Sequence, residues 1–360
     1  MSDPAILPTG SNRPLRRPDE LVGAGLVPPD RLAVLERVAA RYAVAITPAM
    51  ADLIDPADPN DPIARQFVPD AAELDHRPEE LADPIGDHRH SPVKGIVHRY
   101  PDRVLLKPSH ACPVYCRFCF RREMVGPGGE ALTPAEFAQA VGYIAAHPEI
   151  WEVVITGGDP LMLSPRRLGE LVQALSAIPH VEVVRFHSRV PIVDPGRIDA
   201  ALIAALATDK ALWVAVHANH ARELGDAQAA ACRRLSRAGI PLLGQTVLLK
   251  GVNDDVAALT QLFRRLVALR IKPYYLHHGD LAPGTAQFRT TIDEGQALMR
   301  ALRGAISGLC QPTYVLDIPG GHGKAPIAPG FLERTGAGQW LVTDFRGETH
   351  LYPPPVPVER

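Results

Sequence analysis

Three of the chain's five cysteines fall in one short run, Cys112-Pro-Val-Tyr-Cys116-Arg-Phe-Cys119. Thiolates gathered this closely suggest metal, not a disulfide framework. A four-iron cluster normally takes four cysteines. A loop that supplies three leaves one iron free to bind a substrate-like ligand. Structural zinc sites usually pair two C-x2-C knuckles or add histidine, and no second knuckle is present here. Cys232 and Cys310 stand alone in helix-like or buried contexts and read as small core residues.

A second place for chemistry is Thr156-Gly157-Gly158-Asp159-Pro160, where two glycines would let a ligand approach the backbone. Alone, that run is an ordinary turn. A third is Asp317-Ile-Pro-Gly320-Gly321-His-Gly323-Lys324-Ala-Pro326, with a lysine set among three glycines. Such an amine can swing into a pocket to hold pyridoxal phosphate. A nucleotide P-loop does not fit, because Ala325 offers no hydroxyl to magnesium and the G-x4-G-K spacing is absent. Taken by itself, the segment reads more readily as an exposed loop lysine.

These residues need elements to hold them. From about Val104, apolar runs alternate with helical segments, as parallel βαβ units do. The runs 104–110, 152–157, 181–187, 212–217, 242–249 and 272–277 predict six strands, hence an α/β fold with a partial parallel (β/α)6 barrel. The cysteine loop follows the first strand and the glycine pair follows the second, at the strand ends where such folds gather active sites. Thr133-Pro134-Ala135-Glu136 is a capping box, and Ser164-Pro165 opens another helix. Residues 313–318 predict one more strand, leading into the glycine-lysine loop. The expected division is 1–95 as irregular cover with short helices, 96–310 as the partial barrel, and 311–360 as the lysine-bearing segment with a proline-rich tail. Arg31 to Tyr42 has amphipathic spacing and should pack as a helix.

With 38 basic and 40 acidic residues the net charge is −2, so no global field favours nucleic acid or an anionic membrane. No apolar run is long enough to span a bilayer, and Met-Ser-Asp-Pro-Ala lacks the features of a signal peptide. The expectation is a cytoplasmic protein.

The cysteine spacing, with Phe118 before the last cysteine, resembles the radical S-adenosylmethionine (SAM) superfamily. More of the chain resembles the lysine 2,3-aminomutases. The likeness runs from about residue 90 to 350 and is carried by Arg99-Tyr-Pro-Asp-Arg103, the cysteine loop with Arg121-Arg122, Thr156 to Pro160, His187 to Pro191, His217 to His220, Gln245 to Asp254, Phe288-Arg-Thr290 and Asp317 to Pro326.

The resemblance implies a [4Fe-4S] cluster on Cys112, Cys116 and Cys119. It implies SAM at Gly157, Gly158, Asp159, His217 and Gln245. Pyridoxal phosphate would be bonded to Lys324, with its phosphate on Arg99, Tyr100 and Arg103. Arg121 would take the substrate carboxylate, and Asp280 with Asp317 the distant ammonium of lysine. The implied isomerase reaction removes the β-hydrogen by a deoxyadenosyl radical, passes the α-nitrogen to the β-carbon and returns the hydrogen. The implied partners are an amino acid substrate and a reductant such as flavodoxin or ferredoxin, with homo-oligomers allowed.

Some residues depart from the family pattern. Phe118 and His322 stand where described lysine enzymes often carry His and Gly, and Asp255 falls where a zinc ligand would be, so no zinc is expected. Arginine or glutamate as substrate stays open, as does supply of β-lysine for elongation factor P. A non-catalytic iron-sulfur electron carrier would explain the cysteines but not Lys324, Arg99 or the glycine turns.

Overall fold

The computed structural model describes residues 13–335 and 338–354. The first residues, Met1 to Ala5, and most of the expected proline tail lie outside them. Nine strands form one sheet in sequence order: β1 Ile96–Tyr100, β2 Arg103–Ser109, β3 Glu152–Gly157, β4 Val183–Ser188, β5 Ala211–His217, β6 Leu242–Val247, β7 Ile271–His277, β8 Thr313–Asp317 and β9 Lys324–Pro326. β2 through β8 pair in parallel, while β1 and β9 close the two edges antiparallel. The sheet curls into a half-barrel around a central cavity lined from β1 to β9.

The pattern along each strand explains the curl's two faces. Val184 and Phe186, or Val214 and Val216, are buried in the hydrophobic core. Each such side chain contributes about 1.5–3 kcal/mol by leaving water. The alternate positions, Arg185 and His187 or Ala215 and His217, line the cavity. Crossover helices begin on side-chain caps: Thr133 receives Glu136 N, Ser164 receives Arg167 N, and Asp255 receives Ala258 N.

The six expected barrel strands are present with ends shifted by one or two residues, and β8 joins them as a seventh parallel strand. Two edge strands are additions to the sequence reading. β1 ends in the polar run His98-Arg99-Tyr100, and β9 is only three residues with a lysine and a proline, so neither shows an apolar period. A small antiparallel sheet, β10 Leu332–Arg334, β11 Trp340–Thr343 and β12 Thr349–Tyr352, follows.

The two edges meet. The Lys324 amide donates to the Tyr100 hydroxyl at 2.7 Å. Gly323 has φ +91, and a Cβ there would lie 2.8 Å from that hydroxyl, so only glycine lets β9 approach β1 this closely. Before the sheet, residues 73–90 cross several of the site loops. Glu73 accepts from Arg117 Nε at 2.9 Å and also pairs with Arg122. Glu80 pairs with Arg289 at 2.9 Å, and the Leu81 amide donates to Leu281 O at 2.8 Å.

Candidate active site

All fifteen residues singled out above line one cavity of about 560 Å³, so strands remote in sequence bring a single site together. The cysteine loop leaves the end of β2. Cys112, Cys116 and Cys119 are free thiols, and the Cys119 amide donates to Cys116 O at 3.1 Å in a tight turn. Arg189 Nη1 reaches Cys116 Sγ at 2.8 Å and supplies a cation beside the sulfur. Burial pushes the Cys119 thiol up to about 11, and burial with the nearby Asp159 charge pushes Cys112 well above its ordinary value. Metal binding would have to displace those protons.

At the end of β3, the glycine pair serves the protein's own loop. Gly157 has φ +111, and a Cβ on it would lie 2.6 Å from Ser109 O; one on Gly158 would strike Ala111 O. The Gly158 and Asp159 amides donate to Ser109 O and Ala111 O, each at 2.8 Å. These glycines let the β3 turn press against the start of the cysteine loop. Asp159 is a buried latch: Oδ1 accepts from Ser188 Oγ at 2.7 Å and Leu161 N at 3.1 Å, and Oδ2 from Arg189 N at 2.6 Å and Val190 N at 3.0 Å. Its carboxylate is thus taken up by protein donors, a use that the ligand-binding expectation did not foresee.

His217 ends β5 and pairs in register with Gln245 of β6. His217 Nε2 contacts Asn219 Oδ1 at 3.1 Å and its ring stands edge-on to Phe118 at 5.7 Å. Burial holds His217 well below its usual range, so it is neutral. Gln245 Oε1, His187 Nε2 and His277 Nε2 are buried without a partner among the described residues. An unmade hydrogen bond of this kind costs about 1–3 kcal/mol. Several around one cavity fit a site that a polar cofactor completes.

Across the cavity, Lys324 Nζ donates to Asp317 Oδ1 at 2.6 Å. Burial pushes Asp317 up, but His277 and Lys324 outweigh it and hold the carboxyl well below the usual range. Asp280 behaves oppositely. Burial, then the negative charge of Asp317, push it up to about 7. It is half-buried on the cavity wall, and no ion pair to it occurs among the described residues.

Two of the cationic residues, Arg99 and Arg121, share one carboxylate. Arg99 Nη2 donates to Asp87 Oδ1 at 3.0 Å and Ile85 O at 2.7 Å, while Arg121 Nη2 donates to Asp87 Oδ2 at 2.8 Å. Arg103 pairs with Asp102 at 2.5 Å and lies 3.9 Å over the Tyr100 ring. Tyr100 spends its hydroxyl on the Lys324 backbone, which ties the expected phosphate site to the lysine loop. Asp87, His277 and the Arg189–Cys116 contact were not foreseen. His277 sits two residues after Tyr275 on the cavity face of β7, a period-two signal the sequence carries. Asp87, in a loop of the N-terminal cover, has no such local signature.

A curled parallel sheet with three cysteines in the loop after its first parallel strand defines a radical SAM protein, and residues 106–263 match the Radical SAM superfamily model. That membership implies a four-iron cluster and SAM, and the thiolate triad with its open cavity fits both. Residues 299–358 match the Lysine-2,3-aminomutase C-terminal model. The L-lysine 2,3-aminomutase of Clostridium subterminale is 40% identical over 87% of this chain and 75% of its own length. A putative L-lysine 2,3-aminomutase of Aquifex aeolicus is 41% identical over 90% of this chain and 88% of its own. A glutamate 2,3-aminomutase of Clostridioides difficile is 35% identical over 87% and 74%. The chain belongs to the lysine 2,3-aminomutase family. No helix among the described residues is long and apolar enough to cross a membrane.

Proposed function

We propose that the protein moves the α-amino group of L-lysine to the β-carbon, using a [4Fe-4S] cluster, SAM and pyridoxal phosphate. The observation that carries this reading is the cavity-lining trio of Asp280, Asp317 and Lys324: Lys324 is bonded to Asp317, and Asp280 feels the charge of both, so two carboxylates share one cation. With Lys324 engaged by the cofactor, the two aspartates are short of one positive charge. The ε-ammonium of lysine supplies it, whereas the side-chain carboxylate of glutamate would meet like charge in a low-dielectric site.

When bound, the cluster with SAM supplies a radical able to remove an unactivated hydrogen, and pyridoxal phosphate supplies the carbonyl that carries the migrating nitrogen. The protein's own residues bind and orient. Cys112, Cys116 and Cys119 hold the cluster. Gly157, Gly158, Asp159, His217 and Gln245 border the SAM site. Arg99, Tyr100 and Arg103 receive the cofactor phosphate, guanidinium being suited to its geometry. Lys324 would provide the amine that holds the cofactor at the cavity wall. Arg121 takes the substrate carboxylate and fixes one end, while Asp280 and Asp317 fix the other. Binding at both ends presents one β-hydrogen to the radical and keeps solvent away.

The electron comes from a reductant such as flavodoxin or ferredoxin. A reducing, cytoplasmic setting suits a chain with free, iron-binding thiols. The test is anaerobic reconstitution with iron, sulfide, SAM and pyridoxal phosphate, followed by a panel of lysine, arginine and glutamate. β-Lysine as the main product supports the reading. A β-amino acid formed chiefly from arginine or glutamate, or none from any of the three, refutes it.

A further inference from the structure

We infer that Asp87 is a positioning residue that holds Arg99 and Arg121 as one preset pair, so that the cofactor-phosphate site and the substrate-carboxylate site are built on a single buried carboxylate. The inference rests on the roles proposed above for those two arginines. Asp87 is 5% exposed, and its two oxygens divide the work. Oδ1 takes Arg99 Nη2 at 3.0 Å; Oδ2 takes Arg121 Nη2 at 2.8 Å and Arg121 Nε at 3.2 Å. Lys107 Nζ, also buried, stands 3.6 Å from Oδ2.

The charge count gives the arrangement its sense. Three cations surround one carboxylate, which leaves an excess of positive charge at the cavity wall. Two anions, a phosphate and an α-carboxylate, are what the proposed reaction brings there. Arg121 is gripped along its Nε and Nη2 edge, and no hydrogen bond from its Nη1 occurs among the described residues. Its free end can therefore face the cavity while the gripped edge fixes the plane. Arg99 is held through Nη2 alone, which donates to Asp87 Oδ1 and to Ile85 O, while its Nε has no partner among the described residues.

The segment that carries Asp87 is itself docked on the lysine loop. Arg89 Nη1 donates to Gly320 O at 2.7 Å, and His90 Nε2 lies 2.9 Å from Gly321 O. A Cβ on Gly86, at φ +67, would strike the Gly321 backbone. Asp87 thus stands at a fixed offset from Lys324, and the two arginines inherit that offset. The rival reading is that Asp87 occupies the substrate carboxylate's place and must be displaced. In that case removing its charge would tighten binding.

The experiment compares wild type, Asp87→Asn and Asp87→Glu, each reconstituted anaerobically. Pyridoxal phosphate affinity is read from its absorbance change, lysine KM and kcat from β-lysine formation at saturating cofactor, and iron and sulfide per chain by analysis. Asp87→Asn should weaken cofactor affinity and raise lysine KM, each on the order of tenfold or more, with the KM effect larger than the kcat effect. Iron and sulfide should stay at the wild-type level, and Asp87→Glu should recover part of both losses. Unchanged or tighter binding in Asp87→Asn overturns the inference. So does loss of the cluster along with affinity in both variants, which would make the residue merely structural. Wild type that binds neither pyridoxal phosphate nor lysine would instead refute the functional reading itself.

Discussion

Lys324 and Asp317 are register partners on the antiparallel strands β9 and β8, and their side chains close the pair at 2.6 Å from Nζ to Oδ1. His277 Nδ1 lies 3.5 Å from the other carboxylate oxygen. Burial lowers the imidazole's affinity for a proton, so His277 is neutral and Lys324 is the true counter-charge. This geometry keeps the amine of Lys324 on the cavity wall instead of in solvent, where its glycine-rich loop alone would leave it.

The first expected outcome concerns that amine. Borohydride reduction of the cofactor-loaded protein should attach the cofactor to Lys324, and Lys324→Ala should lose both the adduct and the visible band while keeping its iron. Peptide mapping of the adduct to another lysine would contradict the assignment.

Asp280 and Asp317 should set substrate choice. Opening one partner of a desolvated charge pair typically costs about 3–5 kcal/mol, on the order of a hundred- to a thousandfold in kcat/KM. Single Ala variants should lose that much with lysine while retaining cluster and cofactor. Asn variants should lose the preference for lysine over norleucine in direct competition. If Asp317 served only the turn into the lysine loop, Asp317→Asn would leave that preference intact.

The pH dependence of lysine binding should report Asp280. Its carboxyl is raised to about 7, first by burial and then by Asp317. Below that value it is neutral, and above it is the anion that an ammonium needs. KM for lysine should therefore fall as pH rises through about 7 and then level, and Asp280→Asn should flatten that limb. Stability of the ligand-free protein runs the other way. A carboxyl whose folded value is raised contributes stability that is full below about pH 4 and lost as pH rises through about 7. Asp280→Asn should gain most over wild type above pH 7, as thermal melts across that range would show.

Ala at Cys112, Cys116 or Cys119 should abolish the oxygen-sensitive cluster and, with it, SAM cleavage. A variant that kept full iron and full cleavage with one of the three missing would remove the triad from the site.

The barrel strands were legible in the sequence because their core-facing positions are apolar and mostly β-branched, as with Val153 and Ile155 or Val214 and Val216. The cysteine triad stood out for its spacing, and Lys324 only through the family resemblance. Residue contacts across the fold did not. Asp159 looked like part of a ligand turn, yet its carboxylate is taken by Ser188, Leu161, Arg189 and Val190. Tyr100 looked like a phosphate ligand, and its hydroxyl also closes the sheet's edge on Lys324. Asp87 lies in a loop and Glu73 in a single 3-10 turn, and their partners are the cation Arg99, twelve residues on, and Arg117, forty-four residues on. Period and composition describe local structure, so an ion pair formed by folding leaves no mark in either.

The most direct measurement follows the nitrogen. The reconstituted protein is given lysine labelled with ¹⁵N at the α-amino group, together with SAM, pyridoxal phosphate and a chemical reductant, and the product is read by ¹⁵N and ¹³C NMR. The account predicts β-lysine with the label on the β-carbon and an unlabelled ε-nitrogen. Label that stays on the α-carbon, or that is released as ammonia, would contradict it.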